Sequence, residues 1–220
     1  MSTTDRRQRH RASLRREILD AASQLFVEEG YQRVTMRRIA ERIEYSPTTI
    51  YLYFKDKNEL LAAVCEETFS QLATKLERLR KSASTPLGYL REALRTYVDF
   101  GLANRAQYTV TLMSPNSGPK GASFEPAIGS RAFETLRQSV RACVEHGDFQ
   151  TPDIDMTAQA LWASVHGITS LLITMPGFPF VPKPALVDHA IDTLVAGLRT
   201  PAAAPRIQPG PRQVRADFLD

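Results

Sequence analysis

Apolar residues recur along this chain at three- and four-residue steps, almost from end to end. Leu14, Ile18, Ala21, Ala22, Leu25 and Phe26 make one stripe, and Gly30 suits the position just after such a helix. Met36, Ile39, Ala40 and Ile43 make a second, shorter stripe behind Thr35, a good N-cap. Ser46 and Pro47 then supply an N-cap and a first helical residue for a third segment, in which Ile50 and Phe54 face inward. Asp56 can cap a longer helix, from about 57 to 81, lined by Leu60, Val64, Leu72, Leu76 and Leu79. Pro86 opens the next, through Leu87, Leu90, Leu94, Tyr97, Val98 and Leu102. Tyr108 to Met113 reads as a short helix or turn. Phe133, Leu136, Val140 and Val144 mark a helix from about 125 to 145 that closes near Gly147. Asp153 or Asp155 caps a helix to Met175, and Pro182 or Pro184 opens the last, through Leu186, Ala190, Leu194 and Leu198. No segment alternates with period two. The fold predicted is all-α, with about nine helices.

The polar positions between Thr35 and Lys57 carry the first functional signal. A helix built for stability shows Ala, Leu, Glu or Lys on its wet face. The segment after Ser46 instead shows Thr48, Thr49, Tyr51 and Tyr53, followed by Lys55 and Lys57. These cannot share the Ile50–Phe54 stripe, because positions one and three residues away rotate off it. Hydroxyls and ammonium groups suit phosphate oxygens and base edges. Two short helices joined by a tight turn, the second bearing this face, predict a helix-turn-helix that enters a DNA groove. An ordinary helical hairpin with a solvated face is the alternative.

Charge sharpens the picture. Residues 1–16 hold Arg6, Arg7, Arg9, Arg11, Arg15 and Arg16 against Asp5 alone, an excess larger than the net +4 of the whole chain. The other residues are therefore about neutral, and attraction to polyphosphate is concentrated at one end. Residues 1–12 read as a disordered basic arm.

The run Ile18-Leu-Asp-Ala-Ala, Leu25-Phe26, Gly30-Tyr31, Val34-Thr35, Ile39-Ala40, Ser46, Thr49-Ile50-Tyr51, Tyr53-Phe54, Lys57 and Leu60-Leu61 resembles the N-terminal DNA-binding domain of the TetR family of bacterial transcription regulators. The likeness covers roughly residues 13 to 62, and includes both the apolar skeleton and the polar recognition residues. It differs at two places. The family often has Gly in the turn where Glu44 stands, and a left-handed conformation there costs a non-glycine residue roughly 1 kcal/mol. It often has His or another polar group at Tyr53, whose phenol can still donate to a phosphate. The resemblance implies DNA-binding residues Thr35, Arg37, Pro47, Thr48, Thr49, Tyr51, Tyr53 and Lys57. Thr35 and Arg37 would anchor the backbone, Pro47, Thr48 and Thr49 would open toward bases, and Tyr51, Tyr53 and Lys57 would hold phosphates.

Two hundred and twenty residues, 43% of them hydrophobic, suffice for a sizeable core in one or two domains. The division expected is a basic arm over 1–12, a three-helix DNA-binding domain over 13–60, an effector-binding and dimerisation domain over 61–200, and a disordered tail over 201–220. Pro and Gly also cluster at 114–129 and 176–184. Cys65 and Cys143 show no metal or redox spacing and read as reduced, buried thiols in a cytoplasmic, nucleoid-associated protein. The longest apolar region, 158–175, is interrupted by Gln159, Ser164, His166, Thr169 and Ser170, and is not read as membrane-spanning.

The last two helices suggest a partner. Ala160, Ala163, Ser164, Gly167 and Thr174 put small residues on one stripe of the first, which lets another helix come close. The second is apolar on more than one side, with Val187, Ile191 and Leu198 beside the Leu186, Ala190 and Leu194 row. A two-fold homodimer, these helices pairing with their copies in a four-helix bundle, satisfies both and places two reading helices on half-sites about 34 Å apart. A monomer with both helices buried internally is the alternative. Trp162 and His166 share a face, and Trp162, His166 and Gly167 resemble a Trp-x3-His-Gly motif in the effector domains of one subset of the family. That suggests an apolar cavity walled by Tyr97, Phe100, Tyr108, Met113, Phe133, Trp162 and Met175, with His166 as a hydrogen-bonding group. All of these are also ordinary core residues.

No metal-ligand spacing, phosphate loop or nucleophile motif is present, and no cofactor is implied. The reading is a ligand-responsive repressor that binds a palindromic operator as a dimer and is released by a small, largely apolar effector. A helical scaffold with an incidental basic arm, or an α-helical enzyme using His166, are the competing classes.

Overall fold

Side-chain caps set where the helices begin. Thr35 accepts from the Arg38 amide, Ser46 from Thr49, Asp56 from Asn58 and Glu59, Thr85 from Gly88, and Asp153 from Asp155 and Met156. Each such bond satisfies a backbone donor that the first helical turn leaves open. In the computed structural model, which describes residues 3–113 and 126–199, the resulting elements are α1 (Thr3–Glu29), α2 (Met36–Arg42), α3 (Pro47–Tyr51), α4 (Lys57–Ser82), α5 (Pro86–Ala103), α6 (Arg105–Tyr108), a π-helical turn (Thr109–Met113), α7 (Pro126–Glu145), α8 (Ile154–Thr174) and α9 (Lys183–Leu198). No strand occurs among the described residues. The expected tail over 201–220, and most of the Pro/Gly cluster at 114–129, lie outside them.

The first of two main cores joins Leu14, Ile18, Ala22, Leu25, Val34, Ile39, Ile50, Phe54, Leu60 and Val64. It is the three-helix unit with the first turns of α4 added. The second joins Leu90, Leu94 and Val98 of α5 to Val140 of α7, Leu161 and Val165 of α8, and Val187, Ile191 and Val195 of α9. Leu72 and Leu76 of α4 pack with Phe100. The expected division at 60/61 therefore falls inside α4, a continuous helix that belongs to the three-helix core at one end and borders the second core at the other.

Two expectations require correction. Residues 3–12 are not a separate disordered arm but the opening turns of α1, so the arginines are carried on a helix that runs unbroken into the bundle. Cys65 is half-buried rather than buried, while Cys143 is buried as expected. The span from Tyr108 to Met113, expected as a short helix or turn, is the last residue of α6 followed by the π-turn, a wider helical geometry frequent at functional positions.

Glu44 does adopt the left-handed conformation, with φ 58°. The Tyr45 amide reaches back to Ala40 O at 2.9 Å and the Glu44 amide to Glu41 O at 3.3 Å. This is a Schellman closure of α2 with glutamate where glycine is usual. At Gly101 the packing itself requires glycine: a Cβ there would sit 2.5 Å from Thr169 Cγ2 and 2.8 Å from Tyr108 Cδ2. Its absence lets α5 approach α8 with the Tyr108 ring held between them.

Candidate DNA-reading head and effector cavity

Ile50 is fully buried and Phe54 nearly so, which turns the rest of α3 outward. Tyr51 is 53% exposed, and Pro47 and Thr48 are exposed. Thr48 makes no side-chain hydrogen bond among the described residues. Thr49 is half-buried, and its Oγ1 lies 2.9 Å from Ser46 Oγ, so part of its hydrogen-bonding capacity is used in the cap. Tyr53 is half-buried against the bundle, with the Arg11 guanidinium 5.8 Å from its ring centroid. That contact was not foreseen. It joins the arginine turns of α1 to α3, so that Arg6, Arg7, Arg9, His10 and Arg11 line one concave surface with Leu52 and Tyr53. Thr35 caps α2 while Arg37 stands exposed beside Glu41. The angle of α2 is further held by Arg42–Glu28 at 2.6 Å and Arg38–Glu29 at 3.1 Å, both reaching α1.

Lys57 departs from its expected role. Its ammonium donates to Tyr31 O at 2.6 Å, Val34 O at 2.8 Å and Gln32 O at 3.3 Å, and lies 4.3 Å from the Tyr31 ring centroid. All three of its donors are committed to the loop between α1 and α2, leaving none for a phosphate. Burial lowers its pKa. An ammonium suits a phosphate and the family resemblance places one here, but the carbonyls that capture Lys57 come from residues more than twenty positions upstream.

Between α4, α5, α7 and α8 lies a cavity of about 260 Å³. Its walls are Phe69, Leu72 and Leu76 from α4, Tyr89, Ala93, Leu94 and Tyr97 from α5, Leu112 from the π-turn, Phe133 and Leu136 from α7, and Trp162 and Val165 from α8. Apart from the hydroxyls of Tyr89, Tyr97, Thr135 and Ser139 and the indole N–H, the lining is apolar. Of the expected wall residues, Tyr97, Phe133 and Trp162 are in place. Four are not. Phe100 is buried with Leu72 and Leu76 and lines a separate cleft between α1, α4 and α6. Leu112 takes the place expected of its neighbour Met113. Met175 is the exposed C-cap of α8. Tyr108 is fully buried in contact with Gly101, behind the wall.

His166 is likewise outside the lining. It ends a relay instead: Trp162 Nε1 donates to Tyr97 Oη at 3.1 Å, Tyr97 Oη lies 3.0 Å from Tyr108 Oη, and Tyr108 Oη lies 2.6 Å from His166 Nδ1. Burial lowers the imidazole's pKa and raises both phenols'. A neutral ring accepting at Nδ1 from Tyr108 fits all three shifts. The relay fixes the Trp162 and Tyr97 rings that face the cavity.

No group of His, Cys, Asp and Glu able to hold a metal occurs among the described residues, and no described helix is long and apolar enough to cross a membrane.

Residues 18–64 match the family described as bacterial regulatory proteins, tetR family, and residues 90–194 match the tetracyclin repressor-like C-terminal domain. A curated relative, the HTH-type transcriptional repressor Rv1474c of Mycobacterium tuberculosis, is 38% identical over 135 residues, 60% of this chain and 70% of its own length. The chain belongs to the TetR family. This TetR regulator is thus a DNA-binding transcription regulator, and the scaffold and enzyme readings fall. With two further curated regulators the match spans 33% and 36% of their length. A protein of unknown function from Rhodococcus sp. RHA1 superposes with TM-score 0.69 at 26% identity, over 85% of this chain and 96% of that one. FadR from Bacillus subtilis, solved in complex with stearoyl-CoA, superposes with TM-score 0.72 at 21% identity, over 83% of this chain and 98% of that one, a likeness of fold.

Proposed function

We propose that this TetR regulator is a cytoplasmic, nucleoid-associated repressor that binds a palindromic operator as a homodimer and lets go when a small, largely apolar effector fills the cavity beside Trp162. The observation that carries the DNA-binding reading is the outward face of α3. Thr48 and Tyr51 project from a helix whose opposite side is anchored by fully buried Ile50, with the α1 arginines alongside. Thr48, Thr49 and Pro47 face bases, Tyr51 and Tyr53 hold phosphates, and the arginine turns of α1 supply the long-range attraction.

Release follows from shared elements. Phe69 and Leu72 of the cavity wall lie on the same helix as Leu60 and Val64 of the DNA-binding core. The π-turn does the same over two residues: Leu112 lines the cavity while Val110 is buried in the N-terminal core. An effector that fits only one arrangement of these walls shifts the reading heads by its differential affinity. The stearoyl-CoA in the Bacillus subtilis FadR complex accords with an apolar occupant for this fold.

The decisive experiment is footprinting on DNA from upstream of its own gene. A two-fold symmetric protected site is expected, with affinity falling steeply as salt rises and Thr48→Ala weakening that site more than random DNA. Equal affinity for all sequences sinks the proposal.

A further inference from the structure

The cavity has a second chamber. A more polar space of about 230 Å³, lined by Arg80, Thr85, Pro86 and Gln138, shares Tyr89, Thr135 and Ser139 with it. Tyr89 stands in the common wall. It is 7% exposed, and its Oη is buried without a hydrogen-bond partner among the described residues. The adjacent Ser139 hydroxyl, close enough to act on the phenol's ionisation, directs its proton to Thr135 O at 2.6 Å and does not meet Tyr89 in bonding geometry. Leaving a buried donor unpaired is costly, so such a group in a folded protein needs a reason.

Burial is the largest influence on Tyr89 and raises its pKa, so at neutral pH the phenol is a donor seeking an acceptor. Past it, the polar chamber offers an exposed Arg80 with no ion pair among the described residues, beside the N-terminus of α5. Both favour an anionic oxygen. On the other side there is apolar wall. At about 260 Å³ the inner chamber is at the small end of ligand pockets, which suits a medium-length chain.

We infer that the effector is an amphiphile with an acyl-type head, its hydrocarbon tail in the inner chamber, its carbonyl oxygen hydrogen-bonded by Tyr89 and its negative charge near Arg80. This rests on the proposed role of the cavity as the effector site, and it adds a polarity and a direction: tail toward Trp162, head toward α5's first turn.

Trp162 is the only tryptophan and lines the inner chamber, so its fluorescence reports occupancy directly. Octanoate, methyl octanoate and n-octane are titrated into the full chain. All three should change the emission. Tyr89→Phe should weaken octanoate and its ester about tenfold while leaving octane unchanged. Arg80→Gln should weaken octanoate alone, by about threefold. Without ligand, Tyr89→Phe should be as stable as the parent or more so, since it removes an orphan donor. Equal losses for all three probes, no loss for either headed probe, or a marked destabilisation of the empty protein would overturn the head-reading role while leaving the cavity as the effector site. Failure of every probe to perturb Trp162 in the parent would overturn both.

Discussion

Two side chains in this regulator act in ways their residue type does not announce. Lys57 is the clearer. A lysine placed after a DNA-reading helix invites assignment to phosphate, yet its ammonium closes three carbonyls of the α1–α2 loop. Lys57→Met should therefore lower unfolding free energy by about 1–3 kcal/mol, because those acceptors lose a charged donor in a part-buried place. Urea denaturation measures it. The salt slope of DNA binding should be unchanged; a slope shallower by about one would return Lys57 to the phosphates. His166 makes a pH-dependent contribution. Burial holds its folded-state pKa below the ordinary 6.5, so the unfolded chain binds the proton more readily than the native one. The associated stability is fully present above pH 6.5 and declines as pH falls below it. Melting between pH 8 and 5 should show a steeper acid loss in the parent than in His166→Gln. Parallel curves would mean that the ring stays solvated.

Among the elements, α2 and α3 show what a sequence discloses and what it hides. The recognition helix was legible because Thr48 and Tyr51, exposed on a short helix, have no packing reason to be there, and because Ser46-Pro47 and Asp56 mark its bounds chemically. The cavity was only partly legible. Phe69, Leu72 and Tyr89 repeat at the same helical period as Phe100, and periodicity alone does not tell a residue against a void from one against a neighbour. Likewise α1 appeared to begin at residue 13, since exposed arginines carry no apolar stripe even when helical. The turn between α2 and α3 was legible down to one residue. Glu44 sits at φ 58° where glycine relieves the steric conflict between Cβ and carbonyl. Glu44→Gly should raise stability by up to about 1 kcal/mol, the left-handed strain removed being offset in part by the greater unfolded-state entropy of glycine. Chemical denaturation decides it, and a loss of stability would mean that the Glu44 side chain has a compensating role.

The whole molecule must bring two such heads onto one duplex, and α8 and α9 hold the surface for it. Val187, Ile191 and Val195 are buried within the protomer, which leaves Leu186, Ala190 and Leu194 half-covered on the neighbouring row. On α8, Ala160 and Ala163 are exposed, and Leu171, four residues beyond Gly167, is 47% exposed. A Cβ at Gly167 or Gly197 would meet nothing within 4 Å. Small residues over open space on two adjacent helices let a second copy approach to backbone distance, and the larger apolar neighbours then gain burial. Arginine at Gly167 tests this cleanly, because the same open space means that the lone protomer accommodates it without rearrangement. Light scattering should show Gly167→Arg at half the parent's mass, with an unaltered circular dichroism spectrum. Affinity for a two-half-site operator should fall at least about a hundredfold, as the second contact ceases to be intramolecular. Affinity for an isolated half-site should be unchanged, since α3 and the α1 arginines are untouched. A variant that remains dimeric would move the interface away from this face of α8, and with it the geometry that sets the spacing of the two reading helices.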